Sequence, residues 1–322
     1  MAKTVGSWLE QNIYQSSIFS DIEELYRLKR EQGLSVSLGL PTKNVSETLG
    51  PIITIIKTEL QDNIPLLDQI AIIDSRSTDD TVSIAGKAGA EVYFEDELLP
   101  EAGVKKGKGE ALWKSLAALK GDIVLWIDSD IRNIHPRFIY GLLGPLLINK
   151  DISFVKGFYE RPIALGSTIN KTGGGRVTEI LARPLINLFY PELTGFIQPL
   201  SGEYGGRREL LESVPFYTSY AVELGLLIEI EKRFGLDSIA QVDLEERIHE
   251  NQSTIALGRM SFAILQAFMN LIEEDKKISL KEKLPDDFFN VKVTDEGFVL
   301  ASEEITTDKR PPIKEYKSYG NN

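Results

Sequence analysis

The sequence predicts an α/β protein built on a doubly wound, mostly parallel sheet. Short apolar segments of strand length alternate with longer segments of helical spacing through the first 130 residues. Residues 123–127 form an uninterrupted apolar run, which is typical of a strand buried on both faces. Polar residues follow the ends of these runs. Because open α/β sheets bind ligands at the carboxyl ends of their strands, this pattern also predicts where the functional site lies.

The elements follow one another in a regular order. The predicted strands span residues 34–40, 69–73, 91–94, 123–127, 152–158 and 239–244. Apolar residues at helical spacing predict helices at 7–32, 221–234 and 254–274, and shorter helices after each of the first three strands. Pro41 is expected to end the first strand, and no G-x-G-x-x-G follows it, which argues against an NAD-type dinucleotide fold. Two glycine-bearing segments, 171–179 and 200–206, are expected to form a loop entering a helix and a turn.

Composition narrows the class of protein. The chain has 322 residues, 42% of them hydrophobic and 26% charged, as in ordinary soluble globular proteins. Its net charge of −12 argues against nucleic acid or an anionic membrane as a partner. With no cysteine, disulfides and cysteine nucleophiles are excluded, and a cytoplasmic location is expected. We expect no signal peptide and no membrane span, because no apolar stretch reaches about 18 residues.

Two aspartates follow the buried strand at 123–127. Asp128 and Asp130 are two residues apart, so their side chains point the same way if the strand continues. Two neighbouring carboxylates repel each other unless a cation lies between them, and Mg²⁺ commonly takes one or two carboxylates together with phosphate oxygens. The motif therefore indicates a metal bound to a phosphorylated substrate, although a solvated acidic turn would show the same short pattern.

Two basic, glycine-rich segments predict anion sites. Lys105, Lys106 and Lys108 precede and open a helix, where backbone N–H groups and the helix dipole favour a phosphate. In residues 173–178, three glycines are followed by Arg176, whose planar guanidinium suits phosphate or carboxylate. A solvated loop and a flexible connector are the simpler interpretations. Two anion sites beside the aspartates indicate two phosphorylated substrates, or one diphosphate and one monophosphate.

Two further residues have alternative interpretations that the residues alone leave open. Glu223 lies among apolar residues of a predicted helix, either at the edge of a polar face or as a deliberately placed group. His249 follows a predicted strand by a few residues, and it is either a metal ligand or an ordinary surface histidine.

The ordered motifs resemble those of a known family. DSRSTDDT, GKGEALW, DSD, GGGRVTE, QPLSGEY, VELGLL and IAQVDL are similar in kind and order to those of the glucosyl-3-phosphoglycerate synthases and the related mannosyl-3-phosphoglycerate synthases. The resemblance covers residues 34–251. It implies the GT-A glycosyltransferase fold, a Rossmann-like sheet with helical C-terminal additions. It also implies retaining, metal-dependent transfer of a hexose from a nucleotide sugar to the 2-hydroxyl of 3-phosphoglycerate.

The resemblance also implies roles for individual residues. Glu223 and Asp128 would be catalytic, facing the sugar and ribose. Asp130 and His249 would ligate Mg²⁺ or Mn²⁺. The acceptor would be bound by Gly175, Arg176, Thr178, Arg247 and Asn251. The nucleotide sugar would be bound by Pro41, Thr42, Lys43, Asp74, Ser75, Lys108, Asp128, Ser129, Tyr220 and Glu223.

The family's first loop usually contains an acidic residue, and here residues 41–46 contain none. The donor base therefore stays open among UDP, GDP and ADP, with glucosyl transfer from UDP-glucose preferred and mannosyl transfer from GDP-mannose as the alternative. A sugar nucleotidyltransferase is a remote alternative, because it would need a glycine- and arginine-rich first loop. A non-catalytic sugar-nucleotide binding protein would not need Asp130, His249 and Glu223 together.

We expect three regions in the chain. Residues 1–33 would form an N-terminal helical extension, 34–251 the catalytic domain, and 252–322 a C-terminal helix and tail. Within the catalytic domain, 34–130 would be the nucleotide-sugar half and 131–251 the acceptor half. The charged tail would lie on the surface or on the partner subunit of a homodimer, or be partly disordered.

Overall fold

The computed structural model describes residues 2–161, 163–165, 168–170, 175–248, 252–295, 297–316 and 319. Its helices are α1 (Ala2–Asn12), α2 (Ile22–Gln32), α3 (Ser46–Lys57), α4 (Thr81–Ala88), α5 (Lys108–Ala118), α6 (Arg137–Ile148), α7 (Arg183–Phe189), α8 (Arg208–Ser213), α9 (Val222–Phe234) and α10 (Thr254–Glu274). Its strands are β1 (Ile13–Gln15), β2 (Val36–Thr42), β3 (Gln69–Asp74), β4 (Glu91–Phe94), β5 (Ile123–Trp126), β6 (Phe154–Glu160), β7 (Ile163–Leu165), β8 (Thr168–Asn170), β9 (Tyr204–Arg207), β10 (Phe216–Tyr217), β11 (Ile239–Glu246), β12 (Asp287–Thr294), β13 (Gly297–Glu304) and β14 (Lys309–Arg310).

Eight strands form the central sheet, in the order β1-β11-β6-β9-β5-β2-β3-β4. All neighbouring pairs are parallel except those of β9, which is antiparallel to β5 and β6. The predicted doubly wound, mostly parallel sheet is confirmed. The expectation of a simple turn at 200–206 was wrong, because β9 begins at Tyr204. Two of its four residues are glycines, which have a low strand propensity, so the sequence pattern does not predict this strand.

Apolar side chains cover both faces of the sheet. In β5 and the residue after it, Ile123, Leu125 and Ile127 belong to the core cluster that includes α3 and α6. Val124 and Trp126 belong to the opposite cluster, which includes α5, α9 and α10. This alternation follows from the period of two in a strand, and it explains why the segment is apolar throughout.

The first strand extends past its predicted end. β2 runs through Pro41 to Thr42, whereas its pairing with β5 stops at Gly39. Proline has no N–H to donate to a neighbouring strand, but β5, the strand on that side of β2, has already ended before Pro41. Pro41 therefore does not terminate the strand, and Thr42 reaches the edge of the sheet opposite Asp74.

The N-terminal region is more than a single helix. The helix expected over 7–32 is divided into α1, the short strand β1 and α2. β1 pairs in parallel with β11 and so forms one edge of the central sheet. α2 begins with an N-cap hydrogen bond from Glu24 N–H to Asp21 and ends at Gly33. The three-region division of the chain remains a prediction.

The C-terminal tail is folded where the structure describes it, so the expectation of partial disorder was wrong there. β12 and β13 form a hairpin, and β14 pairs antiparallel with β10. Arg310 and Ile313 are buried. Among the described residues, α10 alone has the length and hydropathy of a membrane span. Its residues Ile264, Phe268 and Leu271 are buried against the core, as in a core helix of a globular protein.

Candidate active site

The carboxyl ends of β2, β3 and β5 meet at one edge of the sheet. The parallel register pairs Thr42 with Asp74, and the Thr42 hydroxyl donates to the Asp74 carboxylate over 2.9 Å. Ser129, which follows β5, donates from its hydroxyl to the carbonyl of Pro41 over 2.8 Å. The structure thus brings together the ends of the three strands from which most of the predicted nucleoside-binding residues come.

Asp74 shapes the loop that follows β3. It is fully buried and accepts hydrogen bonds from the Ser77 N–H over 2.7 Å and the Ser77 hydroxyl over 2.6 Å. The Lys43 ammonium donates to the Ser75 carbonyl, and the Ser75 hydroxyl donates to Glu95. The Asp74 carboxylate is therefore engaged by its own loop and by Thr42. Its contribution to a nucleoside pocket would be to hold Ser75 and Lys43 in place.

Lys108 lies between two carboxylates. Lys108 is the first residue of α5, and Glu223 is the second residue of α9. The Lys108 ammonium lies 2.5 Å from the Asp128 carboxylate and 2.8 Å from the Glu223 carboxylate. The side chains of Lys108 and Asp128 are about one-fifth exposed, and that of Glu223 is almost fully buried. Three predicted site residues from different elements therefore form one cluster.

Electrostatics keep Lys108 and Asp128 charged. Burial opposes the charge of Lys108, but Asp128 and Glu223 outweigh it and raise the Lys108 pKa well above its ordinary value. Burial likewise would raise the pKa of Asp128, but Lys108 and Arg247 outweigh it and hold that pKa below its usual range. Lys108 is therefore a cation beside the Asp128 carboxylate, and a charged ammonium in this position can bind a phosphate.

The two aspartates of the strand end share a guanidinium. Nη2 of Arg247 lies 3.1 Å from Asp128 and also donates to Asp130. Nη1 of Arg247 donates to the Tyr159 hydroxyl over 2.9 Å and lies 3.4 Å from Glu203. Arg247 thus places a positive charge against both aspartates. The structure joins Arg247 to the aspartates by buried contacts, and its predicted role in binding the acceptor stays a prediction.

The donor set fits a hard divalent ion in part. The Asp130 side chain is 48% exposed, so its carboxylate can meet an ion carried by substrate phosphates. In the part of the chain that the structure describes, no three carboxylate or histidine side chains are grouped as a complete metal site. An ion there would need phosphate or water oxygens to complete its shell. The predicted ligand His249 and the acceptor residue Asn251 lie outside the described residues.

Lys156 and Glu203, which sequence reasoning missed, form the floor of the site. Lys156 is buried, donates to the Ser201 carbonyl over 2.7 Å and lies 4.2 Å from the centre of the Tyr204 ring. Burial lowers the Lys156 pKa to about 7. Burial also raises the pKa of Glu203, which accepts from Tyr159 over 2.6 Å. A lysine within an otherwise apolar strand segment was the available signal in the sequence.

The turn that carries Glu203 lies directly against Asp128. A Cβ atom added to Gly202 would come 2.1 Å from an Asp128 carboxylate oxygen. Only glycine leaves room for that approach. The motif 198–204 therefore serves to bring buried Glu203 next to the strand-end aspartates.

Three of the predicted acceptor residues, Gly175, Arg176 and Thr178, lie at the start of a helical segment. Arg176 donates from Nη2 to the Gln252 carbonyl over 2.9 Å and is partly exposed. Gly175 is partly exposed, whereas Thr178 is buried. Tyr220, predicted to contact the donor, is 46% exposed just before α9. The roles assigned to these residues stay predictions.

Comparison with known proteins shows which family this chain resembles. The family model for glycosyl transferase family 2 matches residues 37–187. Over 307 residues the chain is 50% identical to glucosyl-3-phosphoglycerate synthase from Petrotoga mobilis, and the match covers 94% of each chain.

Solved structures agree with this result. A mannosyl-3-phosphoglycerate synthase from Rubrobacter xylanophilus is 42% identical, with a TM-score of 0.88 over 97% of each chain. Glucosyl-3-phosphoglycerate synthase from Mycobacterium tuberculosis, solved with Mn²⁺, UDP and glucosyl-3-phosphoglycerate, is 40% identical. Its TM-score is 0.79, and the match covers 92% of this chain and 96% of the mycobacterial chain. Another structure of the mycobacterial enzyme contains Mg²⁺ and UDP.

Proposed function

This chain belongs to the glucosyl-3-phosphoglycerate synthases, glycosyltransferases of the GT-A fold, and we propose that it transfers a glucosyl group to the 2-hydroxyl of 3-phosphoglycerate. The observation that carries this proposal is the similarity to the Petrotoga enzyme over nearly the whole of both chains. UDP-glucose is the proposed donor, because the mycobacterial relative was solved with UDP and UDP-glucose.

The transfer exchanges one bond for another. A bond forms between the acceptor oxygen and the anomeric carbon, and the bond from that carbon to the diphosphate oxygen breaks. The proton of the acceptor hydroxyl passes to the leaving diphosphate, and the anomeric configuration is retained. Lys108 would stabilise the negative charge that grows on the diphosphate, because its ammonium is already fixed in a mostly buried site.

Glu223 and Asp128 would orient the sugar and the Lys108 ammonium. Both carboxylates lie within 3 Å of the Lys108 ammonium, so neither is a free nucleophile in this arrangement. Glu223 is placed to stabilise positive charge developing on the sugar. A divalent ion held by Asp130, with His249 as a further predicted ligand, would supply Lewis-acid neutralisation of the diphosphate.

The acceptor phosphate needs donors of its own. Lys108 serves the donor diphosphate, and Arg176 with Thr178 and the N–H groups at the start of that helical segment would serve the phosphoglycerate. Arg176 is partly exposed and donates from Nη2 to the Gln252 carbonyl over 2.9 Å, and its planar guanidinium suits a phosphate. Holding both substrates in this way would set the hydroxyl against the anomeric carbon.

Mannosyl transfer from GDP-mannose is the second candidate. The Rubrobacter structure, a mannosyl-3-phosphoglycerate synthase, has a TM-score of 0.88, against 0.79 for the mycobacterial structure with bound product. The deciding experiment supplies 3-phosphoglycerate with UDP-glucose, ADP-glucose, GDP-glucose and GDP-mannose and measures the nucleoside diphosphate released. Preference for UDP-glucose supports the proposal. Release of pyrophosphate instead would indicate a nucleotidyltransferase.

We further propose that the protein is a cytoplasmic homodimer. Alternating residues of the hairpin β12–β13 place Phe289, Val291, Val293, Phe298 and Leu300 on one face, and all five side chains are more than half exposed. An isolated hairpin is marginally stable, and an apolar face of this kind usually marks an interface. A second copy of the chain is the proposed occupant. Sedimentation of the wild type and of a Val293→Lys variant would test it, since a monomeric wild type contradicts the proposal.

A further inference from the structure

The C-terminal tail is attached to the segment that leads into Glu223. β14 pairs antiparallel with β10, with Arg310 opposite Phe216. The Thr218 N–H donates to the Asp308 carbonyl over 2.9 Å, and the Asp308 N–H donates to the Thr218 hydroxyl over 3.1 Å. Since α9 begins four residues after Thr218, this pairing fixes the approach of the chain to Glu223.

From β14, the Arg310 side chain contacts residues that precede Lys108 in the sequence and one that follows it. Its Nε and Nη2 donate to the two oxygens of Glu110 over 2.8 and 2.6 Å. Its Nη1 donates to the Ala102 carbonyl over 2.8 Å, and Nη2 also donates to the Gly103 carbonyl over 3.2 Å. One guanidinium thus holds the residues before and after the basic segment 104–108.

This contact is buried and rigid. Glu110 is fully buried and Arg310 is 6% exposed. The guanidinium also stacks over the Trp113 ring at 5.0 Å, and the Trp113 indole donates to the Pro311 carbonyl over 2.9 Å. A bidentate guanidinium–carboxylate pair fixes geometry as well as charge. The tail therefore holds the first turn of α5 in one orientation.

The start of α5 is also in backbone contact with β10. A Cβ atom at Gly109 would lie 1.7 Å from the Tyr217 carbonyl oxygen, so no other residue fits there. The Glu110 N–H donates to the Thr218 carbonyl over 3.1 Å. The start of α5, β10 and β14 thus pack together, next to the ion pair between Lys108 and Glu223.

We propose that Arg310 is a positioning residue that sets Lys108 against Glu223 and the donor diphosphate. The kinetic part of this inference rests on the proposed function, whereas the structural part does not. Arg310 would act through Glu110 and the carbonyls of Ala102 and Gly103. Because a displacement of about 1 Å at a catalytic group can cost about a hundredfold in rate, a tail residue can control turnover from outside the site.

The test compares three variants of the full-length protein. Arg310→Met alone would leave the buried Glu110 with only the buried Lys114 ammonium, 3.7 Å away, as an ionic partner. The double variant Glu110→Gln/Arg310→Met therefore removes the guanidinium and the carboxylate together and keeps the volume. Arg310→Lys keeps the charge and loses the two-pronged contact. Arg259→Met is the matched control, because Arg259 makes an exposed ion pair with Glu303 of the same C-terminal region, 2.7 Å apart.

Three measurements are made: thermal unfolding, kcat and KM for both substrates, and hydrogen exchange of the peptide covering 103–112. For the double variant we expect a cooperative unfolding transition, exchange at least about tenfold faster in that peptide, and kcat lowered about tenfold or more with the acceptor KM within about threefold. Arg310→Lys should lie between the double variant and the wild type. Arg259→Met should match the wild type.

Wild-type exchange and kcat in the folded double variant would overturn the inference. If the double variant does not fold, the same result for Arg310→Lys overturns it. A wild type that transfers no glucosyl group would contradict the proposed function, while the exchange measurement would still decide whether Arg310 holds the start of α5.

Discussion

Replacing Lys108 with methionine is the sharpest test of the active site, because one ammonium serves two carboxylates. Its distances of 2.5 Å to Asp128 and 2.8 Å to Glu223 correspond to about 6 kcal/mol of Coulomb attraction for each pair at an effective dielectric constant of about 20. Desolvation of the three groups offsets most of this attraction. The net effect therefore comes from the anions that the substitution leaves behind.

Two measured quantities should change. Leaving buried carboxylates without their cation costs about 3–5 kcal/mol, and we expect the lower end because Arg247 remains 3.1 Å from Asp128. Losing a preorganised donor to the leaving group costs about 2.7–4 kcal/mol in the transition state, so kcat should fall about 10²–10³-fold. The free energy of unfolding is measured in urea, and kcat is measured by release of the nucleoside diphosphate.

The control is Lys120→Met, because Lys120 is exposed near the other end of α5. It should leave kcat within about twofold of the wild type, as surface substitutions usually do. Lys108→Arg keeps a cation and should recover part of the stability. A Lys108→Met protein that is folded and retains kcat within about threefold would refute the assignment of Lys108 to the leaving diphosphate.

Three further predictions follow from the site. Asp130→Asn should lower kcat by at least about a hundredfold and raise the metal concentration for half activity, because a hard cation loses an anionic oxygen; normal rates at saturating Mg²⁺ would contradict this. Arg176→Ala should lower kcat/KM for phosphoglycerate about ten- to a hundredfold and leave donor binding by calorimetry unchanged; loss of donor binding would assign the segment to the donor instead. Since burial lowers the Lys156 pKa from 10.5 to about 7, Lys156 is neutral in the folded protein above that value and takes up a proton on unfolding. Wild-type stability relative to Lys156→Met should therefore rise with pH, by about 1.4 kcal/mol per unit between pH 7.5 and 9.5; urea unfolding that shows no such slope would mean that Lys156 stays charged when buried.

Local patterns in the sequence were sufficient for much of the fold and for the centre of the site. Period-two and period-3.6 patterns predicted α9 and α10 nearly to the residue, and the buried run at 123–127 located β5. Because open α/β sheets bind ligands at the carboxyl ends of their strands, the sequence pattern placed Asp128 at that edge. Thr42 and Asp74, which the structure pairs at the ends of β2 and β3, were assigned to the site only through the family resemblance. The motif order also identified the family.

Other features depended on contacts between residues far apart in the sequence. β1 exists because β11 offers it a sheet edge, and β9 is a strand because β5 and β6 flank it. Two of the four residues of β9 are glycines, and β1 has only three residues although its Ile-Tyr-Gln sequence suits a strand. Local propensity therefore did not reveal either strand. For the tail, the sequence left a surface arm, a contact with a partner subunit and partial disorder open, because its charged residues are also typical of a disordered arm.

The sequence by itself therefore determined the sheet, its strand ends and the residue types available there. The tertiary structure decided which charges meet. Arg247 lies between Asp128 and Asp130, and Arg310 contacts Glu110 across 200 residues of chain. An ion pair of this kind forms where the folded backbone brings two charged groups together away from water. The spacing of residues along the chain does not show which groups will meet in this way.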